Sequence, residues 1–228
     1  MITLAIDTST DISVGLAGDA GLLASRRVES TRAHAELLQP SVNAVLAESG
    51  VTLPEVDRVA VGLGPGPFTG LRVGIVTART IAHLGRRPLF GVCSLDVAAL
   101  QWAQGPHAPG CEFVIAIDAR RRELYWARYD AGGRRLDEPQ VNAPADLPDL
   151  PTAGPGAALY AEVLGERVSL GGPHRVDAAF LATHVDQLPD AGVEPLYLRQ
   201  PDAVVPTTRK STLLQPRLSL RSRGVAHR

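Results

Sequence analysis

Aromatic side chains make up only 4% of this 228-residue chain, and cysteine occurs twice. Cys93 and Cys111 lie apart with no CxxC spacing, which argues against a zinc site or a redox pair and predicts two reduced thiols. No run of about 18 uninterrupted apolar residues is present to span a membrane. The N-terminus, MITLAIDTSTD, has no basic region and reaches an acid at Asp7, unlike a secretory signal. A soluble, cytoplasmic protein is expected. Acids are missing from the far end: none follows Asp202, so the last 26 residues carry plus six and the rest minus seven. Such a tail can meet RNA electrostatically, but it has Pro206 and Pro216, little periodicity and no aromatic to stack on a base. Residues 204–228 are therefore expected to be a disordered extension.

Glycine is plentiful in one place. Five glycines, Gly62, Gly64, Gly66, Gly70 and Gly74, surround an expected strand-to-helix turn in VAVGLGPGPFTGLRVGIVTARTIAHL. Such a turn lets a backbone, a helix or an anion come unusually close. The segment fits neither the P-loop, which ends in Gly-Lys-Ser/Thr, nor the dinucleotide fingerprint with its later acid. Gly70, Gly74, Ala78 and Ala82 are four apart and form one strip of small residues along the helix. Small strips let two axes approach closely, either on the chain's own sheet or on a partner.

Hydrophobic residues reach 45%, enough for a core in one large or two small domains. Ile2–Ile6, Ser13–Leu16 and Leu22–Val28 read as strands, the first two joined by a tight turn at Thr8–Asp11. Ala33–Ser49 reads as a helix with Leu38, Val42, Val45 and Leu46 on one face, although Pro40 should kink it unless its first turn begins late. A buried strand at Val56–Val61, the small-strip helix and a strand at Pro88–Val92 follow. GPHAPG at Gly105–Gly110 reads as a linker. Beyond it Phe113–Ile117 ends in Asp118 and Glu123–Tyr129 returns, so a strand-Asp-turn-strand unit occurs twice, at Asp7 and at Asp118.

These segments together resemble a known family. AIDTSTDISVGL, HAELL at His34–Leu38, GLGPGPFTGLRVG, SLDVAAL at Ser94–Leu100, IDARRRELYWARYD at Ile117–Asp130 and EPLYLRQPDA at Glu194–Ala203 closely resemble the TsaB, or YeaZ-like, family. The resemblance runs in order over about residues 1–203. It implies an α/β fold of two actin-like, ribonuclease-H-like lobes of the sugar-kinase and heat-shock-chaperone superfamily, with mixed sheets and helices. Residues 1–105 would form the first lobe and 111–203 a second, smaller, degenerate one.

In active relatives of that superfamily the paired hairpins hold phosphates and a metal. Here Asp7, Thr8 and Ser9 keep a version of the first hairpin, but Asp118 is followed by Ala119, Arg120, Arg121, Arg122 and Glu123, with no glycine. Bulky side chains leave backbone amides poorly placed for a phosphate. The catalytic sister subunit of the family, TsaD, carries two histidines four apart as metal ligands. Ser94 and Ala98 stand at the corresponding positions, and alanine has no donor atom. No GxSxG elbow or other catalytic set is present.

The reading is a noncatalytic scaffold without cofactor or metal. The resemblance implies that helices 33–49 and 68–84 pair with TsaD, through His34, Leu38, Val42 and Val45 on the first and Gly70, Arg72, Val73, Gly74, Thr77, Ala78 and Ile81 on the second. It further implies work with an ATPase subunit, TsaE, on threonylcarbamoyladenosine in tRNA, the tRNA being reached through the complex. The same helix face can pair with itself when the partner is absent. The alternative is an ATP-dependent phosphotransferase or metal hydrolase of the same fold. A direct tRNA-binding module rests only on the basic tail.

Overall fold

A computed structural model describes residues 1–29 and 34–199. The basic tail at 204–228, the expected helix start at Ala33 and the end of the EPLYLRQPDA motif lie outside the described residues.

The chain opens with strands β1 (Thr3–Asp7), β2 (Ile12–Gly18) and β3 (Gly21–Val28), helix α1 (His34–Ser49), strand β4 (Arg58–Gly62), helix α2 (Phe68–Gly85), strand β5 (Leu89–Val92) and helix α3 (Ser94–Ala103). The strands form one sheet in the order β3-β2-β1-β4-β5, antiparallel across the two hairpins and parallel from β1 to β4 to β5. Beyond the Gly-Pro-rich connection, β6 (Phe113–Asp118), β7 (Leu124–Tyr129), β8 (Gln140–Asn142) and β9 (Thr152–Ala153) form a second sheet in the order β8-β7-β6-β9. It too is a hairpin with a parallel strand added beside its first member. The two sheets thus repeat one ribonuclease-H-like order, and the α/β class of two mixed sheets with helices is as expected. A short helix α4 (Ala161–Leu164) and helix α5 (Ala178–His184) complete the fold.

Strand alternation sorts the first sheet's two faces. Leu4, Ile6, Val14, Leu16, Val59 and Val61 pack against α1 and α2. The other face carries small residues, Ala5, Ala17 and Ala60, and packs against α3, α5 and the second sheet. Small side chains allow α5 to come close: a Cβ on Gly15 would overlap the Ala178 backbone, and the Ala178 amide donates to Ser13 Oγ at 2.9 Å. Helix α5 therefore comes from the second half of the chain but covers the first sheet. Beyond the linker one core cluster is local to the second sheet and another is shared with the first.

Helix α1 continues through Pro40, which is exposed, so the carbonyl left without a donor on the preceding turn belongs to the exposed Glu36. Cys93 is buried and Cys111 exposed, both as free thiols. Among the described residues no helix is long and apolar enough to cross a membrane.

Candidate functional site

At the end of β1, Asp7 is 1% exposed and Thr8 and Ser9 are fully buried. The Ser9 amide and hydroxyl donate to Asp7 Oδ1 at 2.8 and 2.5 Å, and the Ser94 hydroxyl donates to Oδ2 at 2.6 Å. Ser94 Oγ in turn accepts from the Gly64 amide at 3.1 Å. Burial raises the Asp7 carboxyl above its ordinary range, and the Ser9 and Ser94 hydrogen bonds pull against that shift. Both carboxyl oxygens are engaged by the protein itself. Ser94, the first residue of α3, ties that helix to this turn.

The glycine-rich segment closes over the same turn. A Cβ on Gly66 would overlap the Ser9 backbone, and one on Gly74 would overlap the Thr8 hydroxyl. Thr8 Oγ1 donates to the Gly70 carbonyl at 2.9 Å. These glycines are needed for close approach, and what approaches is the chain's own β1–β2 turn rather than an anion.

The second hairpin is built differently. Asp118 Oδ1 accepts from the Arg120 amide at 2.9 Å and from the Tyr160 hydroxyl at 3.3 Å. Arg120, Arg121 and Arg122 are exposed, and all three adopt left-handed backbone with φ of 61°, 52° and 62°. Non-glycine residues are disfavoured there by about 1 to 2 kcal/mol each. A cavity of about 240 Å³ lies between the hairpins, touched by Ser9, Asp11, Pro67, Asp118, Arg120 and Leu159. That is below the range of about 300 to 1,000 Å³ common for small-molecule sites. Among the described residues no three His, Cys, Asp or Glu side chains gather to hold a metal.

The structure sorts the expected partner residues by face. Gly70, Gly74, Ala78 and Ile81 of α2 are buried in the chain's own core, as are His34, Leu38, Val42 and Val45 of α1. Within this chain their side chains pack inward. Arg72, Val76, Thr80 and Leu84 form a parallel row, two residues out of step with the buried strip and so about 200° around the helix. All four are exposed, Val76 by 59% and Leu84 by 79%. Val73 and Thr77 lie half-buried beside them. His34 faces Gly70 with its Nε2 unpartnered among the described residues, and burial lowers its pKa.

Sequence reasoning missed the clasp at the end of the described chain. Arg79 donates to the Val193 carbonyl at 2.7 Å and to Glu194 at 2.6 Å, Arg72 to the Tyr197 hydroxyl at 3.1 Å, and the Tyr197 ring packs on Phe68 at 4.5 Å. Arg199 donates to the Ala119 carbonyl at 3.0 Å and pairs with Glu123 in the second hairpin. The EPLYLR motif held the signal, as a tyrosine and an arginine in a segment with no periodicity of its own.

Two sheets of one order, with the first turn filled by its own glycine loop and the second tipped by arginines, define a two-lobed α/β protein of ribonuclease-H-like topology. The family model for TsaD, tRNA N6-adenosine threonylcarbamoyltransferase, matches residues 27–200. An uncharacterised protein of Mycobacterium tuberculosis is 44% identical over 209 residues, covering 88% of this chain and 92% of its own length. The tRNA threonylcarbamoyladenosine biosynthesis protein TsaB of Escherichia coli is 39% identical over 132 residues, 57% of this chain and 55% of that protein. The solved structure of YeaZ from Pseudomonas aeruginosa superposes with a TM-score of 0.70 at 29% identity, over 86% of this chain and 99% of that one. The chain belongs to the TsaB (YeaZ-like) family.

Proposed function

We propose that this chain is the scaffold subunit of a tRNA threonylcarbamoyladenosine-forming complex, holding a TsaD-like catalytic subunit in its active shape and performing no chemistry alone. One observation carries the reading: the exposed row Arg72, Val76, Thr80 and Leu84 puts large apolar side chains on the outside of α2, the helix whose inner face is already used by the core. A helix that shows Val76 and Leu84 to solvent is suited to packing against helices of another subunit. Asp7 supports the noncatalytic part, since its oxygens are taken by Ser9 and Ser94. The TsaE-like ATPase and the tRNA join through that assembly, and the same face can pair two copies of this chain when the catalytic subunit is absent.

The test is copurification with the TsaD-like subunit, followed by a tRNA modification assay with and without this chain. Val76→Glu and Leu84→Glu should leave the fold intact, weaken the pair by about tenfold or more, and lower modification only in the assembled system. ATP hydrolysis by the isolated chain that depends on metal and is abolished by Asp7→Ala would replace this reading with the enzyme alternative.

A further inference from the structure

The tip of the second hairpin carries more positive charge than its own acids neutralise. Arg120, Arg121 and Arg122 are consecutive and exposed, the side chain of Arg120 by 62% even while it pairs with Asp118. The carboxylates beside the tip have inner partners: Asp118 accepts from the Arg120 amide and from Tyr160, Glu123 pairs with Arg199, and Asp11 accepts from Arg27 at 2.8 Å. Arg122 makes neither a hydrogen bond nor an ion pair among the described residues. All three arginines hold left-handed backbone, where the fold favours glycine. Cations kept at such positions are accounted for by what they meet outside the chain.

The complement is an extended polyanion. Arg120, Arg121, Arg199 and Tyr197 border a hollow of about 190 Å³ beneath the turn, below the range of about 300 to 1,000 Å³ that encloses small molecules, so the charge acts on the surface. Guanidinium groups present planar forks that match phosphate oxygens. Arg199 donates to the Ala119 carbonyl beside this turn and ends the described chain, so the segment that leads to plus six over residues 203–228 sets out from the same place. Positive charge contributed by more than one segment suits a backbone of repeated phosphates better than a single anion.

Resting on the reading above that the assembly acts on tRNA, we propose that the turn 120–122 touches the tRNA itself, its arginines on backbone phosphates. This chain then holds the substrate as well as the catalytic subunit. Phosphate contacts carry no base sequence, so the turn sets affinity and register and leaves the choice of base to other groups.

Fluorescence anisotropy of a labelled, unmodified tRNA with the copurified pair of this chain and the TsaD-like subunit tests this, over about 50 to 200 mM salt. Arg120→Gln combined with Arg122→Gln should weaken binding roughly tenfold at the low end and reduce the slope of log affinity against log salt by about two, equally for tRNAs of different sequence. Arg122→Gly should give opposed readouts: a higher Tm, because the positive φ is relieved, with weaker tRNA binding and a slope smaller by about one. The same differences between parent and variants are expected for the full chain alone. Failure of the parent pair to form therefore counts against the scaffold reading only. Unchanged tRNA affinity and slope in the variants would overturn the present proposal. So would variants that keep tRNA binding as isolated chains but lose the TsaD-like subunit, which would make the turn a contact for an acidic protein face.

Discussion

The two hairpins share a register and differ in almost everything that decides what they can do. Asp7 pairs with Ser13 and Asp118 with Leu124 at the same place in each ladder. The first turn lies under a glycine loop, with both Asp7 carboxyl oxygens hydrogen-bonded inside the chain. The second ends in solvent, on three arginines in a backbone region that glycine would occupy at less cost. Closeness of packing, rather than the aspartate common to both, separates them. A buried carboxylate ringed by hydroxyl donors is a structural tie, whereas an exposed left-handed turn is free to change its side chains without disturbing the core.

That contrast can be broken most forcefully at Gly74. Gly74→Leu should destabilise the chain by about 3 kcal/mol or more, seen as a large fall in Tm or as insoluble protein, because the side chain would enter the space of Thr8. A folded Gly74→Leu variant with normal Tm that failed only in partner binding would restore the strip as a partner surface. The opposite sign is expected at the second hairpin. Arg122→Gly should stabilise by roughly 0.5 to 1 kcal/mol, about 2 °C in Tm, by relieving a positive φ and a like-charge neighbour.

A finer contrast lies in pH. The folded pKa of Asp7 is raised, so its favourable contribution is complete below the unfolded value of 3.8 and is lost as pH rises toward the folded value. Asp7→Asn should therefore gain on the parent in urea unfolding as the pH is raised from about 4 to 8; a constant difference across that range would mean that burial does not govern this carboxyl. The smallest effect is expected on the outside of α2, where Val76→Glu should shift unfolding by no more than about 0.5 kcal/mol. A larger loss would place Val76 in the core.

Most strands were legible because alternation and the Asp-ended runs are local signals, and α2 was legible from its apolar spacing. The direction of the small strip was not. Gly70, Gly74, Ala78 and Ala82 announce close approach, but the approaching group is Thr8 and the β1–β2 turn, some 60 residues earlier, and only tertiary structure brings it there. Ser94 was compared with a metal ligand, yet its tie to Asp7 spans 87 positions and has no sequence signature. The placement of α5 on the first sheet depends on Gly15 and Ala17 being small, a pattern that reads as nothing special along β2.

The terminal clasp ties remote parts of the molecule into one unit of local opening. The Ala191 amide donates to Gly91 at 2.7 Å and the Leu196 amide to Leu63 at 2.9 Å, while the side chains beyond reach both α2 and the second hairpin. Releasing residues 191–199 would loosen all of these contacts together, so hydrogen exchange at the Ala191 and Leu196 amides should report a shared opening free energy. A subunit seated against Arg72 and Tyr197 would slow that exchange and, by linkage, quiet the arginine turn at the far end of the same segment.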